Sequence, residues 1–170
     1  SSQTLTAGDA NNKTLSGVIS GSGGFTKAGS GTLTLSSTNT FSGITTINAG
    51  TLTVTGALSD SSAVSVASGA IYDVDASDTV ASIEGAGNIE IASSQILTAG
   101  DSNNKTLSGV ISGSGGFTKT GSGTQTLSGN NSFSGATNIN SGTLTVTGTL
   151  SDSTAVTVAS GAVYNVNASD

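Results

Sequence analysis

A 92-residue period runs through the whole chain. Ser1-Ser2-Gln3 recurs as Ser93-Ser94-Gln95, and residues 1–78 then align without a gap with residues 93–170. Only 16 of the 78 aligned pairs differ, which leaves 62 identities. A fixed period of this kind is typical of arrays whose units stack on one another and share a continuous core. We therefore expect one solenoid over 1–170, with repeat 1 at 1–92 and a truncated repeat 2 at 93–170.

A shorter period lies inside the 92-residue unit. The pattern of positions 31–35 returns at 50–54, and the same spacing of core positions continues through Tyr72, Ile89 and Leu107 to Gln125. This spacing predicts five coils of about 18 residues in each repeat. At a strand spacing of about 4.8 Å, the nine coils expected for the chain form a rod on the order of 44 Å long.

The composition favours short strands over helices or a flexible linker. The chain has 31 Ser, 27 Thr and 25 Gly but no Pro, and its Val, Ile and Leu residues alternate with polar residues. Disordered linkers are usually enriched in Pro, Glu and Lys, and helical solenoids need long runs of good helix formers. Alternation with period two is typical of half-buried strands. The sequence therefore predicts an all-β fold, a parallel β-helix.

The alternation also predicts which side chains point into the core. One register breaks the pattern, because Leu33 of repeat 1 is replaced by Gln125 in repeat 2; either the register is wrong there or the Gln bonds to a corner amide. Asn11, Asn39 and Asn48 are expected at corners, where they can cap backbone groups or form ladders. The expected inward residues are Leu35, Leu52, Val54, Val64, Val66, Tyr72, Val74, Ile89 and Ile91, and the expected outward residues are Thr32, Thr34, Thr51, Thr53, Asp73 and Glu90.

Charge and hydropathy exclude several partners. The net charge is −6, with four Lys and neither Arg nor His, so we expect no nucleic-acid partner and no binding to anionic membranes. No apolar run is long enough to cross a bilayer, so no membrane insertion is expected. The chain starts at Ser1 and shows no signal peptide, which places any export signal upstream. Cysteine is absent.

Residues 23–36, from Gly23-Gly24-Phe25-Thr26-Lys27 to Leu35-Ser36, closely resemble the autotransporter-associated β-strand repeat. The match continues through residues 39–52 and recurs in repeat 2 at 115–144, although Phe41 and Phe133 stand where the family commonly has Tyr. The resemblance implies a right-handed β-helix from the passenger region of a large Gram-negative surface or secreted protein. It implies no catalytic or binding residues.

Only one cluster of residues offers a catalytic or metal-binding hypothesis. Without His, Cys or Arg, a carboxylate group at Asp73, Asp75 and Asp78 is the remaining route to catalysis, and the same trio could bind Ca²⁺. Repeat 2 has Asn165 and Asn167 in place of the first two, and keeps only Asp170. Outward alternation explains the pattern without either role. We predict no catalytic, cofactor-binding or metal site and no cofactor.

Two surface patterns have weaker functional interpretations. Outward Thr rows, at Thr32/Thr34, Thr51/Thr53/Thr55 and Thr143/Thr145/Thr147, are similar to ice-binding arrays, but Thr is also a good outward strand residue. The triplets at 12–14 and 104–106 match the N-glycosylation acceptor, which arises readily by chance in this composition.

The leading interpretation is a structural repeat of an extracellular bacterial adhesin or fibre, which forms a rigid stalk or filament at the cell surface or in biofilm matrix. Neighbouring repeats, with end-to-end stacking, are the expected partners. A glycan- or host-surface-binding module is the alternative, and a polysaccharide-degrading enzyme is a more remote one.

Overall fold

The computed structural model describes residues 3–151 and 154–167 and contains strands but no helix in that part of the chain. The 20 strands are β1 (Leu5–Ala7), β2 (Lys13–Leu15), β3 (Phe25–Lys27), β4 (Thr32–Leu35), β5 (Thr45–Ile47), β6 (Thr51–Val54), β7 (Ala63–Val66), β8 (Ile71–Val74), β9 (Asp78–Val80), β10 (Ser82–Gly85), β11 (Asn88–Ile91), β12 (Ile96–Ala99), β13 (Lys105–Leu107), β14 (Ile111–Gly113), β15 (Gly116–Lys119), β16 (Thr124–Leu127), β17 (Thr137–Ile139), β18 (Thr143–Val146), β19 (Val156–Val158) and β20 (Val163–Val166).

The strands form three parallel sheets, and each turn of the chain visits them in a fixed order. Sheet 1 has nine strands in the order β1-β3-β5-β7-β10-β13-β16-β18-β20. Sheet 2 has six, β14-β11-β8-β6-β4-β2, and sheet 3 has five, β19-β17-β15-β12-β9. Short strands on one face cannot bury their own apolar side, so stacked turns share one core. The predicted all-β parallel β-helix is confirmed.

The number of coils differs slightly from the prediction of about five per repeat. Sheet 1 joins Leu5 to Tyr164 through eight turns, so the average turn is longer than the spacing of core positions suggested. The error arose after Ile89, whose partner on the next turn is Ile111 and not Leu107. The turn from Ile89 to Ile111 spans 22 residues, against 17 for the turn from Tyr72 to Ile89. Eight steps of about 4.8 Å give a rod on the order of 38 Å.

The 92-residue repeat is therefore not a whole number of turns. On sheet 2, four turns lead from Leu33 to Ile111. The counterpart of Leu33 is Gln125, which lies two faces further on, in sheet 1. Four turns plus two of three faces make 4⅔ turns. Equivalent residues of the two repeats consequently lie on different sheets, and each repeat is rotated by one face relative to the one before.

The predicted core is confirmed. All nine residues expected to point inward are buried, and Phe25 packs against Phe41 with ring centroids 5.9 Å apart. The residues predicted to point outward are partly or fully exposed, with one exception: Thr53 is only 7% exposed. Its hydroxyl donates to Asp73 on the next turn, and this neighbour covers it.

Gln125 points inward, so the register was right. Its side chain is 2% exposed, and its amide donates to the Lys105 carbonyl at 3.4 Å and to the Thr126 carbonyl at 3.3 Å. The partners are strand carbonyls rather than a corner amide. Both distances are at the long end for N–H···O bonds, so the amide is buried with weak compensation.

We predict that Gln125→Leu stabilises the fold by about 1–2 kcal/mol, because it removes a weakly bonded buried amide and restores the residue that repeat 1 has at Leu33. The reverse change, Leu33→Gln, should cost at least as much. Urea unfolding of both variants measures the difference. Loss of stability in Gln125→Leu would show that the two long hydrogen bonds matter more than their geometry indicates.

Candidate functional site

The three carboxylates of the Asp73 group do not form a site. Asp73 and Asp75 project outward from β8 and its end, whereas Asp78 is the first residue of β9 and turns into the core. Asp73 accepts a hydrogen bond from the Thr53 hydroxyl at 2.9 Å. Partial burial raises the pKa of Asp73, while the bond from Thr53 opposes that shift. Within residues 3–151 and 154–167, no three acidic side chains are grouped closely enough to hold a metal ion.

The first two of these positions are also on the surface in repeat 2. Asn165 and Asn167 are exposed, as expected for outward positions, and Asp170 lies outside the described residues. A substitution of Asp73 and Asp75 by Asn keeps an outward polar side chain in each case. This pattern fits surface positions better than a shared reactive centre.

Asp78 instead organises a buried polar network. Its carboxylate accepts the Leu58 backbone amide at 3.0 Å and the Tyr72 hydroxyl at 2.6 Å. Burial raises the pKa of Asp78, partly offset by these hydrogen bonds. Burial, followed by the charge of Asp78, raises the pKa of Tyr72 well above its ordinary value. Asp78 thus satisfies one backbone donor of the turn below and one buried hydroxyl.

A second buried polar centre is formed by Lys27, which is fully buried although it carries a charge. Its ammonium donates to the carbonyls of Ala28 at 2.8 Å, Gly29 at 2.8 Å and Ala49 at 2.9 Å. The first two acceptors belong to its own corner and the third to the corner of the next turn. We call this arrangement the lysine clamp. It joins two turns without a carboxylate partner.

Repeat 2 contains the same clamp. Lys119 is buried as well, and it donates to the carbonyls of Thr120, Gly121 at 3.0 Å and Ser141 at 3.3 Å. Burial lowers the pKa of both lysines, and the negative charges of Asp9 and Asp101 partly oppose this. A group that recurs at the same offset with the same acceptors is a built-in feature of the repeat.

Glycine makes room for the ammonium. Gly29 has φ +70°, and Gly142, beside the second clamp, has φ +67°. A Cβ at Gly142 would lie 2.9 Å from the Lys119 ammonium nitrogen and still closer to two carbonyl oxygens. Both the left-handed backbone and the lack of space therefore require glycine at this corner.

The sequence interpretation missed the clamp, although the signal was present. Phe25 and Lys27 are two positions apart in one strand, so they share a face, and Phe25 is a core residue. An inward Lys should have led to a search for acceptors, because a buried charge must be compensated. Two carbonyls of one Gly-containing corner and one carbonyl of the next corner supply that compensation.

Corner asparagines bond adjacent turns, as predicted for Asn39. Its side-chain oxygen accepts the Ile19 amide at 3.0 Å, and Asn131 accepts the Ile111 amide at 2.9 Å in repeat 2. Asn11 instead donates its backbone amide to Asp9. Asn48 is exposed at its corner.

The two glycosylation triplets have a structural role of the same kind. The side-chain oxygen of Asn12 accepts the Thr32 amide at 2.9 Å, and that of Asn104 accepts the Thr124 amide at 2.9 Å. Both asparagines are exposed. Each side chain therefore caps the strand of the next turn.

The Thr rows are short. Thr32 and Thr34 stack directly on Thr51 and Thr53, but Ile71 and Asp73 occupy the next turn. In repeat 2 two such ranks are likewise followed by Val163 and Asn165. Two consecutive ranks do not make the extended lattice that an ice-binding face requires.

A shallow notch occurs once in each repeat. In notch 1, Gly24 leaves a gap in an outward column of sheet 1, between Thr4 on the turn below and Ile44 on the turn above. In notch 2, on sheet 3, Gly116 takes the same place between Ile96 and Ala136. Each notch has one exposed Ile at its rim, with Ile44 55% and Ile96 43% exposed.

Comparison with known proteins gives one result. Residues 25–54 and 117–146 match the model of the passenger-associated-transport-repeat. Each of these two segments is similar to one copy of that repeat. The matches cover about a third of its length and begin at Phe25 and Phe117. No curated protein and no solved structure matches the chain significantly.

Each passenger-associated-transport-repeat encloses one complete lysine clamp. Lys27 and its three acceptors lie within 25–54, and Lys119 and its acceptors lie within 117–146. The Phe25–Phe41 contact also falls inside the first match. The matched motif therefore spans more than one turn, and its clamp bonds one of its turns to the next. No helix in the described part of the chain is long and apolar enough to span a membrane.

We predict that Lys27→Met costs about 2–3 kcal/mol of unfolding free energy, because the methionine fills the space but leaves the clamp carbonyls without their charged donor. Lys13→Met is the matched control: Lys13 pairs with Asp9 at the surface, and this change should cost less than about 1 kcal/mol. Guanidinium unfolding measures both. Equal effects of the two substitutions would contradict a structural role for the clamp.

A second prediction concerns Asp78 and pH. Because its pKa is raised in the folded state, its contribution to stability is complete below about pH 4 and is lost as the pH rises through the folded-state pKa. The unfolding free energy of the wild type, minus that of Asp78→Asn, should therefore fall from about pH 4 toward neutrality.

Asp78→Ala should cost about 1–3 kcal/mol near pH 4, because the Leu58 amide and Tyr72 hydroxyl lose their acceptor. This cost should fall toward neutrality, as it does for Asp78→Asn. Asp75→Ala is the control and should change stability by less than about 0.5 kcal/mol, since Asp75 is exposed. A pH profile of Asp78→Asn parallel to that of the wild type would argue against the raised pKa.

Proposed function

We propose that this chain is a structural, length-determining segment of an extracellular bacterial adhesin or fibre, forming a rigid rod-like stalk or filament at the cell surface or in biofilm matrix. The observation that carries the proposal is the continuous stack of turns, in which both passenger repeats use the same clamp to hold one turn on the next. Passenger repeats belong to surface or secreted proteins, and this supports the extracellular location.

The use of the buried polar groups supports a structural role rather than a catalytic one. Asp78 and Tyr72 bond to each other and to backbone, and Lys27 and Lys119 are surrounded by carbonyls. Catalysis requires titratable groups that converge on a substrate, and these groups are enclosed within the wall of the rod. Our proposal accordingly assigns the segment no enzymatic role.

Neighbouring repeats of the same protein are its proposed partners. Outer turns of the described stack expose apolar side chains at both ends, Leu5 and Val18 at one and Val163 and Val166 at the other. Burial of these side chains against a further turn favours end-to-end stacking, because unpaired strand edges readily accept another strand.

The proposal predicts a rod whose length grows in fixed steps. Arrays should be prepared that extend the chain by one and by two further 92-residue units. Each unit adds 4⅔ turns, or about 22 Å at about 4.8 Å per turn, while the cross-section stays constant. Small-angle X-ray scattering measures the maximum dimension and the cross-sectional radius separately.

In the comparison series, the clamp lysine of every unit, which is Lys27 in repeat 1 and Lys119 in repeat 2, is changed to Met. These arrays should lose the constant cross-section on mild heating before the wild type does. A maximum dimension that grows as the square root of unit number would mean a flexible chain of separate domains. That result would overturn the rod.

A further inference from the structure

We propose that notch 1 is a contact surface for a second copy of this chain, in which Ile44 of each copy enters the Gly24 notch of the other across a two-fold axis. This inference rests on the proposed structural role and adds a lateral partner to the end-to-end one. The partner follows from the shape of the surface, because the same column carries both a projection and the gap that fits it.

Projection and gap are adjacent in one column. The Phe25 amide bonds to the Ile44 carbonyl, and the Leu5 amide bonds to the Gly24 carbonyl, so Thr4, Gly24 and Ile44 stack on consecutive turns. Consecutive turns are about 4.8 Å apart, and the two rims of the notch are therefore about 9.6 Å apart. A branched aliphatic side chain fits between rims at this spacing, and the exposed Ile44 is such a side chain.

A two-fold axis perpendicular to the rod makes this surface complementary to itself. When the axis passes midway between the turns of Gly24 and Ile44, each Ile44 faces the other copy's Gly24. The rods are then antiparallel, and the contact is isologous, which is the commonest interface symmetry among protein dimers. Both projections and both gaps are used.

The surroundings of notch 1 suit close approach. The neighbouring outward column of sheet 1 contains Thr6, Thr26, Thr46 and Ser65 on successive turns, and Ala63 stands above Ile44. These four side chains are small and uncharged, and the first charged residue of the column is Glu84, one turn beyond Ser65. Under the same axis, Thr26 faces Thr46 of the other copy. No charge has to be desolvated when two such faces meet.

One contact of this size is weak. It involves two columns over four turns, and stable dimers bury roughly 1,200 Å² or more in total. The rotation of the repeat matters here, because notch 2 lies on sheet 3 and notch 1 on sheet 1. An array therefore presents notches toward different sides, and many weak contacts can join one rod to several neighbours.

The test is sedimentation equilibrium of the full chain from micromolar to millimolar concentration. We expect a reversible monomer–dimer equilibrium that Ile44→Ser weakens at least tenfold. Ile71→Ser is the matched control: it removes a partly exposed aliphatic side chain of sheet 2, away from both the notch and the ends of the stack, and should change the dissociation constant less than twofold. Thermal unfolding confirms that both variants fold.

Orientation is tested by cross-linking, which is specific because the chain has no cysteine of its own. Chains carrying Thr26→Cys and chains carrying Thr46→Cys are mixed and treated with a short bismaleimide. The two-fold arrangement predicts that mixed dimers exceed either homodimer by more than the twofold excess that random pairing of equal amounts gives. If two copies stack end to end instead, Ile44→Ser leaves their dissociation constant unchanged, whereas Val163→Ser weakens their association.

A chain that remains monomeric at millimolar concentration, or dimers that Ile44→Ser leaves intact, would overturn the notch contact. Glycan-array binding that is lost in Ile44→Ser, in a chain that stays monomeric, would also overturn it and would assign the notch to a glycan. Neither result bears on the proposed rod, because the scattering experiment measures the length of the array and not its association with other copies.

Discussion

The structure depends on backbone hydrogen bonds between successive turns. Every sheet is parallel, and strands pair with strands one full turn earlier or later. In the part of the chain that the structure describes, no strand is paired with its immediate neighbour in sequence. Parallel pairing of this kind requires that every turn bring its corners back to the same place. The buried polar groups meet that requirement: the lysine clamps, the corner asparagines and Asp78 all bond one turn to another.

The clamp shows why a charge can be buried in so apolar a core. An ammonium group makes three strong hydrogen bonds, and corners offer carbonyls that the sheets leave unpaired. Lys27 takes two carbonyls from one corner and one from the next, so the turns cannot shift past each other without breaking a bond to a charged group. A carboxylate partner is unnecessary for this purpose. The clamp therefore fixes register as well as stabilising the corner, in the manner of other buried polar groups that specify alignment.

Much of this fold could be predicted from the sequence, because alternation and repetition are local signals. Val64, Tyr72 and Ile89 were placed inward by period two alone, and all three are buried. The turn length could not be read so easily. Ile89 and Leu107 look like successive core residues, but the turn that follows Ile89 is five residues longer than the one before it, so that Ile111 takes the position instead. A change in turn length of this kind is not visible in the period-two alternation.

The candidate site was harder to predict for a related reason. Asp73, Asp75 and Asp78 are close in sequence, yet a change of face between β8 and β9 separates the third from the others. Lys27 looks like one of few solvated charges, and only its parity with Phe25 shows that it points inward. Polar residues in a β-helix are thus ambiguous until the faces are known. Whether such a residue is a buried hydrogen-bonding group or a surface group depends on the face of the β-helix, inner or outer, to which its side chain points.

Because each repeat is rotated by one face relative to the one before, the length of the turns determines which sides of an array carry a given surface feature. Had the repeat been five whole turns, every copy of a surface feature would lie along one side of the rod. Because it is 4⅔ turns, the position of Gly24 on sheet 1 becomes that of Gly116 on sheet 3, and the next copy moves one face further. Three repeats return a feature to its first face. The long turn from Ile89 to Ile111 contributes to this offset, so turn length helps to determine on which side of the rod each copy of a surface feature lies.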